Sequence, residues 1–226
     1  LHKNRLKLQS IRQNCLKTAL EVHTNLCYYH ITTAKGLMNM LKNIPGTVLE
    51  WNDALSQNAF AVLSPVLSVT KGLTLSQLKE LTGLEGSTIQ NWVKRGWVER
   101  PSGKRYGEQQ IVRIILINML RSSMQLEKII ALMRYINGEV DDRSDDIIPD
   151  RRLFSVICSV ISQVDKKQTV DKAIIKEIIE NELTDYVGPN EDSKQKLESA
   201  VFCMVLGFFS AEIKKEAEAE FSKLFE

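Results

Sequence analysis

The sequence has few features of secreted, membrane-spanning or disulfide-stabilised proteins. Its four cysteines are widely separated and form no CxxC pair: Cys15, Cys27, Cys158 and Cys203. Because 226 residues with 43% hydrophobic side chains can bury a core without disulfides, we expect reduced thiols and a cytoplasmic location. The longest apolar runs, 114–120 and 201–209, are too short to cross a bilayer, and no signal peptide is evident. We therefore expect no association with a membrane.

The motifs of common enzymes and cofactor sites are also missing. The sequence has no glycine loop of the kind that cradles phosphates, no nucleophile elbow and no paired-carboxylate signature, so neither catalysis nor a bound cofactor is expected. His23, Cys27 and His30 follow one another at helical spacing and could offer ligands to zinc, with a fourth from Cys15 or a carboxylate. The simpler interpretation is surface histidines beside a partly buried thiol, and we predict no metal site.

Amphipathic periodicity predicts α-helices along most of the chain. Apolar residues between 8 and 26 recur every three or four positions, which is typical of a long helix. Two more helices are predicted at 34–42 and 48–63, separated by a break at Pro45-Gly46. We divide the chain into an N-terminal helical segment (1–66), a central module (67–138) and a C-terminal helical segment (139–226).

The clearest local signals lie in the central module. Thr74 and Gln77 form a capping box, in which each side chain accepts from the other residue's backbone N–H, and Gly83 is a good left-handed C-cap. The same pattern repeats in a second capping box over 87–90, with Gly96 at the end of its helix. Two short helices joined by a tight, glycine-containing turn predict a helix-turn-helix.

A β-hairpin and further helices are predicted after the helix-turn-helix. Residues 97–106 place Trp, Val and Tyr around a Pro-Ser-Gly turn, which is typical of a small hairpin, or wing. Asp150 and Thr169 are predicted to cap helices that reach Val164 and Leu183. The other predicted helices cover 108–121, 124–137 and 192–224. The predicted fold is therefore all-α, with a winged helix-turn-helix embedded in a larger helical domain.

The net charge of +2 conceals a segregation of charge along the chain. Between 87 and 121, seven basic residues face only two carboxylates, a balance of +5: Lys94, Arg95, Arg100, Lys104, Arg105, Arg113 and Arg121 against Glu99 and Glu108. Because phosphate contacts give most of the sequence-independent affinity for DNA, a DNA-binding protein needs its cations there. The alternative is that these side chains only solvate the module.

The opposite charge is concentrated in 139–150, where six carboxylates face one arginine, a balance of −5. This stretch lacks the ligand pattern and the glycine of an EF-hand calcium loop. It is interpreted as a solvated loop or as an electrostatic contact with a basic patch.

Two groups of side chains are the candidates for contacting DNA. Residues early in a recognition helix reach base edges, and amides can pair with adenine. The candidates in the second helix are Ser87, Thr88, Gln90, Asn91, Lys94 and Arg95. The candidates in the wing, which would bind the backbone or a minor groove, are Arg100, Lys104, Arg105 and Tyr106. Gln90 is equally explained as the capping partner of Ser87. Tyr106 and Trp97 could touch a sugar or phosphate, but packing against a small core explains them better.

The module resembles the MerR-type DNA-binding domain, in which a helix-turn-helix is followed by a wing and a pair of helices. The segments that carry this resemblance are TLSQL at 74–78, LTGL at 81–84, STI at 87–89, GWV at 96–98, KRY at 104–106 and MQLEKI at 124–129. A closer resemblance is to the bacterial family described as domain of unknown function 1836. It is carried by IQNWVKRGW at 89–97, KRY at 104–106 and INMLR at 117–121.

These resemblances span about 68–164 and imply DNA binding, but they do not identify an inducer. The recognition helix carries Gln90-Asn91 where MerR regulators have an Arg-Tyr pair, and the long coiled coil by which those regulators dimerise is not evident.

We therefore predict a bacterial, cytoplasmic transcription regulator that binds double-stranded DNA, with 87–95 in a major groove and 100–106 as the wing. The class of regulator suggests a homodimer, and the effector is unknown. The alternative is a helical protein-interaction or small-molecule-sensing module in which the winged helix is only a scaffold.

Overall fold

The computed structural model describes residues 40–52, 60, 67, 70–140 and 142–225. All of these residues fall within one compact unit, 40–226. The predicted helix between 8 and 26, most of the helices predicted at 34–42 and 48–63, and the candidate zinc ligands His23, Cys27 and His30 lie outside the described residues.

Seven α-helices make up most of the described residues, and no β-strand occurs among them. In chain order the helices are α1 (Leu75–Thr82), α2 (Gly86–Lys94), α3 (Glu108–Leu120), α4 (Leu126–Asn137), α5 (Asp150–Lys167), α6 (Lys172–Glu182) and α7 (Ser193–Lys223). The prediction of an all-α chain is therefore confirmed for this part of the chain. None of the seven is both long and apolar enough to cross a membrane.

Helix α1 begins and ends where the sequence predicts. The Thr74 hydroxyl accepts a hydrogen bond from the Gln77 backbone N–H at 3.3 Å, and the Gln77 side-chain oxygen accepts from the Thr74 N–H at 2.9 Å. At the other end Gly83 adopts φ = 67°, and its N–H donates to the Lys79 carbonyl. The predicted capping box and left-handed C-cap are both confirmed.

The second predicted capping box is wrong. Helix α2 begins at Gly86, with Glu85 at the N-cap position and no side-chain cap bond. A Cβ on Gly86 would lie 3.3 Å from the Leu75 side chain, so the absence of a side chain lets the first turn of α2 pack closely against α1. The helix therefore begins without a side-chain cap, and Ser87 is the second residue inside it.

Helix α2 ends at a glycine, as predicted. Gly96 follows the C-cap residue with φ = 70°. Its N–H donates to the Val93 carbonyl at 3.1 Å, and the Trp97 N–H donates to the Trp92 carbonyl at 3.0 Å. These two bonds define a Schellman motif, which fixes the direction in which the chain leaves the helix.

A tight turn, rather than a two-stranded hairpin, occupies the predicted wing. Gly103 and Lys104 have φ values of 55° and 63°, and the Arg105 N–H donates to the Ser102 carbonyl at 2.9 Å. Positive φ at both central residues is the geometry of a type I′ turn, which suits the twist of a hairpin. Within 97–106, however, the only internal pairing is the isolated bridge between Ser102 and Arg105.

Pairing does not extend beyond this turn because only Tyr106 and Gly107 separate Arg105 from the start of α3, and side chains of α3 bind carbonyls in the segment before the turn. The Arg113 guanidinium donates to the Trp97 carbonyl at 2.7 Å, and the Gln110 amide donates to the Arg100 carbonyl at 3.3 Å. The predicted strands of the wing are therefore absent from this segment.

The chain that leaves the turn pairs instead with the segment before α1. Leu73 and Tyr106 exchange both of their backbone hydrogen bonds, at 2.8 and 2.9 Å. The Arg105 guanidinium donates to the Gly72 carbonyl at 3.1 Å. A Cβ on Gly72 would lie 2.4 Å from the Tyr106 carbonyl oxygen, so this close approach requires glycine. The turn is thereby held beside the start of α1.

Residues 42–51 reverse direction instead of forming the predicted helices. Pro45-Gly46 makes the turn, with φ = 77° at the glycine. The Ile44 N–H then donates to the Leu49 carbonyl at 2.8 Å, and the Trp51 N–H donates to the Lys42 carbonyl at 2.9 Å. Because these backbone groups pair across the turn, the prediction of helix at 40–42 and 48–52 is wrong.

Helix α3 lies at the centre of the described core. Its residues from 111 to 117 are all buried, as are Met119 and Leu120. A helix buried on every side lies inside a protein rather than on its surface, and α3 packs against both α5 and α7. The boundary drawn between 138 and 139 therefore follows the end of α4 but does not interrupt the core.

Asn118 and Gly46 hold the turn at 45–46 against α3. The Asn118 amide donates to the carbonyls of Gly46 and Thr82, both at 2.9 Å. A Cβ on Gly46 would lie 2.2 Å from the Ile115 carbonyl oxygen, so only glycine permits this contact. One amide therefore joins the turn, the end of α1 and the central helix.

Two predicted helix caps are wrong, although their helices occur. Asp150 is the first residue of α5, after Pro149 at the N-cap, and it is only 3% exposed. Asp171 rather than Thr169 caps α6, because its carboxylate accepts from two backbone N–H groups at 2.8 and 3.1 Å. The helices predicted at 108–121, 124–137 and 192–224 are confirmed within two residues at each end.

Candidate nucleic-acid interface

One face of α2 is polar and exposed. Its side chains follow the spacing i, i+3, i+4 and i+7, which places them on one side of a helix: Ser87, Gln90, Asn91 and Lys94. Thr88, at the edge of this face, is half-buried. The opposite side carries Ile89 and Trp92, which are buried in the core. The buried side fixes the helix in place, so the polar face is presented to solvent.

The two amides on this face are available to an external group. The sequence leaves Gln90 two roles, as the capping partner of Ser87 or as a residue that contacts a base. Because α2 begins before Ser87, the capping role does not occur. Neither Gln90 nor Asn91 has a side-chain hydrogen bond to another described residue.

Three of the basic residues predicted to contact DNA are exposed and make no ion pair within the described ranges: Lys94, Arg100 and Lys104. Lys104 stands at the tip of the type I′ turn. Ammonium and guanidinium groups that are solvated in this way can approach a phosphate without first breaking an internal bond.

The other two basic residues predicted to contact DNA, Arg95 and Arg105, already make contacts within the protein. Arg95 lies 4.8 Å from the centre of the Trp97 ring and 3.8 Å from the Glu127 carboxylate. Both members of that ion pair are more than half exposed, so the pair contributes little and can exchange for a stronger partner. Arg105 donates to the Gly72 carbonyl, which leaves its charge uncompensated.

Tyr106 belongs to the core rather than to this surface. It is 4% exposed, and burial raises the pKa of its phenol. Trp97 is half-buried beneath the Arg95 guanidinium. Of the two roles open to each aromatic residue, packing is the one that this geometry supports.

Arg113 is also absent from the basic surface, although its charge contributes to the balance of +5. Its side chain is 2% exposed, donates to the Trp97 carbonyl and lies 3.8 Å from the equally buried Asp150 carboxylate. Burial lowers the pKa of Arg113, and the charge of Asp150 opposes that effect. The sequence signal for this role was a single arginine inside the apolar run 111–120.

The segment 139–150, called the acidic loop, contacts the residues around Arg113 through its one arginine, Arg143. The Arg143 guanidinium donates to Glu99 at 2.9 Å and lies 3.3 Å from Asp146 and 3.7 Å from Asp150. The described part of the loop therefore forms an electrostatic contact with the central module. Glu99, Arg113, Arg143, Asp146 and Asp150 are called the ion cluster below.

Several charged groups of the ion cluster are incompletely satisfied. Four buried atoms have no hydrogen-bond partner among the described residues: Arg113 Nη2, Arg143 Nε, Asp146 Oδ1 and Asp150 Oδ2. Burial raises the pKa of Asp146, although Arg143 acts in the opposite direction. Burial would lower the pKa of Arg143, but its hydrogen bond to Glu99 and the nearby carboxylates raise it overall.

Comparison with known proteins supports the resemblance to the family described as domain of unknown function 1836. Residues 62–157 match the model of the family described as Domain of unknown function (DUF1836). This segment includes α1 to α4, the turn and the ion cluster. An uncharacterized protein, YkrK, of Bacillus subtilis (strain 168) is 31% identical over 122 residues, which cover 51% of this chain and 52% of the relative. The chain thus spans about half the length of that relative. No solved structure matches the chain.

Proposed function

We propose that this chain is a DNA-binding transcription regulator of MerR-like type, in which α1 and α2 act as the helix-turn-helix and the turn at 102–105 acts as a short wing. Helix α2 enters a major groove with Gln90 and Asn91 against base edges. Lys94, Arg100 and Lys104 bind phosphates on either side.

The observation that carries this proposal is the polar face of α2. Its amides have no internal hydrogen bonds to described residues, whereas its opposite face is locked into the core through Trp92. A major groove admits one α-helix, and glutamine or asparagine can bond bidentately to adenine. A rigid helix with unbonded amides is suited to that contact, because little side-chain rearrangement is needed on binding.

The turn supports the proposal by placing cations at a fixed point. Its type I′ geometry holds Lys104 at the tip, and the pairing of Leu73 with Tyr106 ties the turn to the start of α1. A cation held on a short, anchored turn can bind a phosphate without the entropic cost of ordering a long loop. Strands are not required for this role.

The proposal is tested by titrating random-sequence duplex DNA with the full chain at several salt concentrations. Five cations are available on α2 and the turn: Lys94, Arg95, Arg100, Lys104 and Arg105. If each neutralises one phosphate, log K falls against log[salt] with a slope of about −4 to −5. Absence of binding at low salt, or binding that does not respond to salt, contradicts the proposal and favours the scaffold alternative.

A matched pair of variants locates the contact. The double substitution Lys104→Ala with Arg105→Ala should reduce the magnitude of the slope by roughly 2. Lys214→Ala with Lys215→Ala makes the same charge change on the exposed end of α7 and should leave the slope unchanged. Selection of bound fragments from genomic DNA would then identify the preferred sequence.

A further inference from the structure

A cavity of about 410 Å³ lies where α3, the acidic loop and α5 meet. Glu108 and Gln109 line it from α3, Arg143 and Asp146 from the acidic loop, and Asp150 and Arg151 from α5. Its volume is in the range of sites that hold small molecules. The polar face of α2 contributes none of the residues that line it.

Within the described ranges, two carboxylate oxygens of residues that line this cavity lack hydrogen-bond donors, and two neighbouring guanidinium nitrogens, Arg113 Nη2 and Arg143 Nε, lack acceptors. The Asp150 side chain is 2% exposed, and its Oδ1 accepts from Asn137 at 3.0 Å. Its Oδ2 has no hydrogen-bond partner among the described residues, because the nearest guanidinium nitrogens, of Arg143 and Arg113, lie 3.7 and 3.8 Å away. The Oδ1 atom of Asp146 is buried and unbonded as well. An unpaired buried acceptor is costly, so both oxygens favour an added donor.

The charges around the cavity favour a cation. Glu108, Asp146 and Asp150 supply three negative charges, and Arg143 and Arg151 supply two positive ones, so the lining carries a net charge of −1. Arg113 and Glu99, which pair with Asp150 and Arg143, add one charge of each sign and leave that balance unchanged. An ammonium group has three N–H donors on a compact centre and can satisfy two acceptors at once. A metal ion fits less well, since no group of three metal-binding side chains occurs in the described ranges.

We propose that this cavity binds a small organic molecule with a primary ammonium group, which donates to the carboxylates of Asp146 and Asp150 once these side chains rotate toward the cavity, since both unbonded oxygens are buried. The same ion cluster contacts the segment that follows α2, through Arg113 at the Trp97 carbonyl and Arg143 at Glu99. A molecule bound in the cavity would therefore affect the position of the recognition helix, α2. That regulatory consequence rests on the proposed function, whereas the binding itself does not.

The binding is tested on the full chain without DNA, so that its failure is distinct from failure of DNA binding. Backbone amide resonances are followed by NMR during titration with methylammonium, 1,4-diaminobutane, tetramethylammonium and Mg²⁺ at constant ionic strength. Methylammonium or 1,4-diaminobutane should shift the resonances of Gln109, Val112 and Arg151 saturably. Tetramethylammonium has the same charge as methylammonium but no N–H donor, and it should not shift them. Equal shifts with tetramethylammonium, shifts with Mg²⁺ alone, or no saturable shift at these residues would overturn the proposal.

Two asparagine variants separate the cavity from the general charge of the acidic loop. Asp146→Asn should weaken amine binding by roughly tenfold or more, the loss of one charge-assisted hydrogen bond. Asp142→Asn removes the same charge from an exposed residue whose carboxylate accepts from Ser144, and it should bind amines as the parent does. Both variants leave the buried ion pair of Arg113 and Asp150 intact, and both are checked for the dispersion of resonances that is typical of the native fold. Equal affinity in the two variants would also overturn the proposal.

Discussion

The exposed cations of α2 and the turn use the same chemistry as the ion cluster, which is partly buried at Arg143 and fully buried at Arg113 and Asp150. Lys94, Arg100 and Lys104 stand in solvent without ion pairs among the described residues, whereas Arg113 and Arg143 are held among carboxylates. Burial decides whether a positive charge is available to a partner or committed to the fold. A count of charges along the chain cannot make this distinction.

The two regions should therefore respond differently to substitution. An exposed charge keeps its hydration, so its removal changes the free energy of unfolding little but changes binding to a polyanion. A buried charge has lost its hydration, so removing its partner leaves an uncompensated ion in the core. The first region is tested by binding and the second by stability.

The largest expected effect is on stability, at the centre of the ion cluster. Arg113→Met removes the fully buried guanidinium beside Asp150 and the donor to the Trp97 carbonyl, leaving only the partly exposed Arg143 near the carboxylate. The free energy of unfolding should fall by about 3–5 kcal/mol. Arg100→Met removes the same group from the exposed surface and should change it by less than about 0.5 kcal/mol. Urea denaturation of both variants measures the difference. Equal losses would show that the distinction between the two regions is wrong.

The next effect concerns binding within the exposed region. Asn91→Ala should lower the preference for a selected DNA sequence over random DNA by about 1–3 kcal/mol, because it removes a base contact. Lys104→Ala should weaken both kinds of binding equally, because a phosphate contact carries no sequence information. Competition titrations with the two DNAs separate these outcomes. If Asn91→Ala weakens both DNAs alike, α2 is not the helix that reads the sequence.

A smaller effect is expected from the glycine that ends α2. Gly96→Ala has open space for its methyl group but must hold an alanine at φ = 70°, which should cost about 1 kcal/mol of stability. Gly46→Ala adds a collision with the Ile115 carbonyl to a similar backbone strain, so thermal unfolding should show a larger loss. The reverse order would mean that the exposed end of α2 is packed more tightly than the core contact at Gly46.

Local signals explain what the sequence could predict. The capping box at Thr74, the glycines at 83 and 96 and the helical period of α7 each act within a few residues, and the structure confirms them. The exposed face of α2 follows from the same periodicity once the helix is located. Its predicted start was wrong because no side-chain cap forms at Ser87, and the helix begins at Gly86, which packs against Leu75 in α1.

The remaining features depend on contacts between distant parts of the chain. Asp150 has the sequence context of a helix cap, but its carboxylate is buried beside Arg113 of another helix. The wing has the composition of a hairpin, but α3 begins three residues after Arg105, and its Arg113 and Gln110 bind carbonyls in the segment before the turn. No local pattern reports such pairings. The lone arginine in the apolar run of α3 was the one available hint.

The smallest expected effect is a dependence of stability on pH, and its sign differs between two aspartates of the acidic loop. Burial raises the pKa of Asp146 above its ordinary value of 3.8, so the folded state holds this proton more tightly than the unfolded state does. The contribution of Asp146 to stability must therefore fall as pH rises from 3.8 to its raised pKa. Hydrogen bonds from Ser144 lower the pKa of Asp142, so its contribution to stability is present above pH 3.8 and is lost as pH falls toward that lowered pKa.

Denaturation of Asp146→Asn and Asp142→Asn between about pH 3 and 6 should give differences from the parent with opposite slopes. Slopes of the same sign would contradict the distinction between a carboxylate desolvated at the ion cluster and one bonded at the surface.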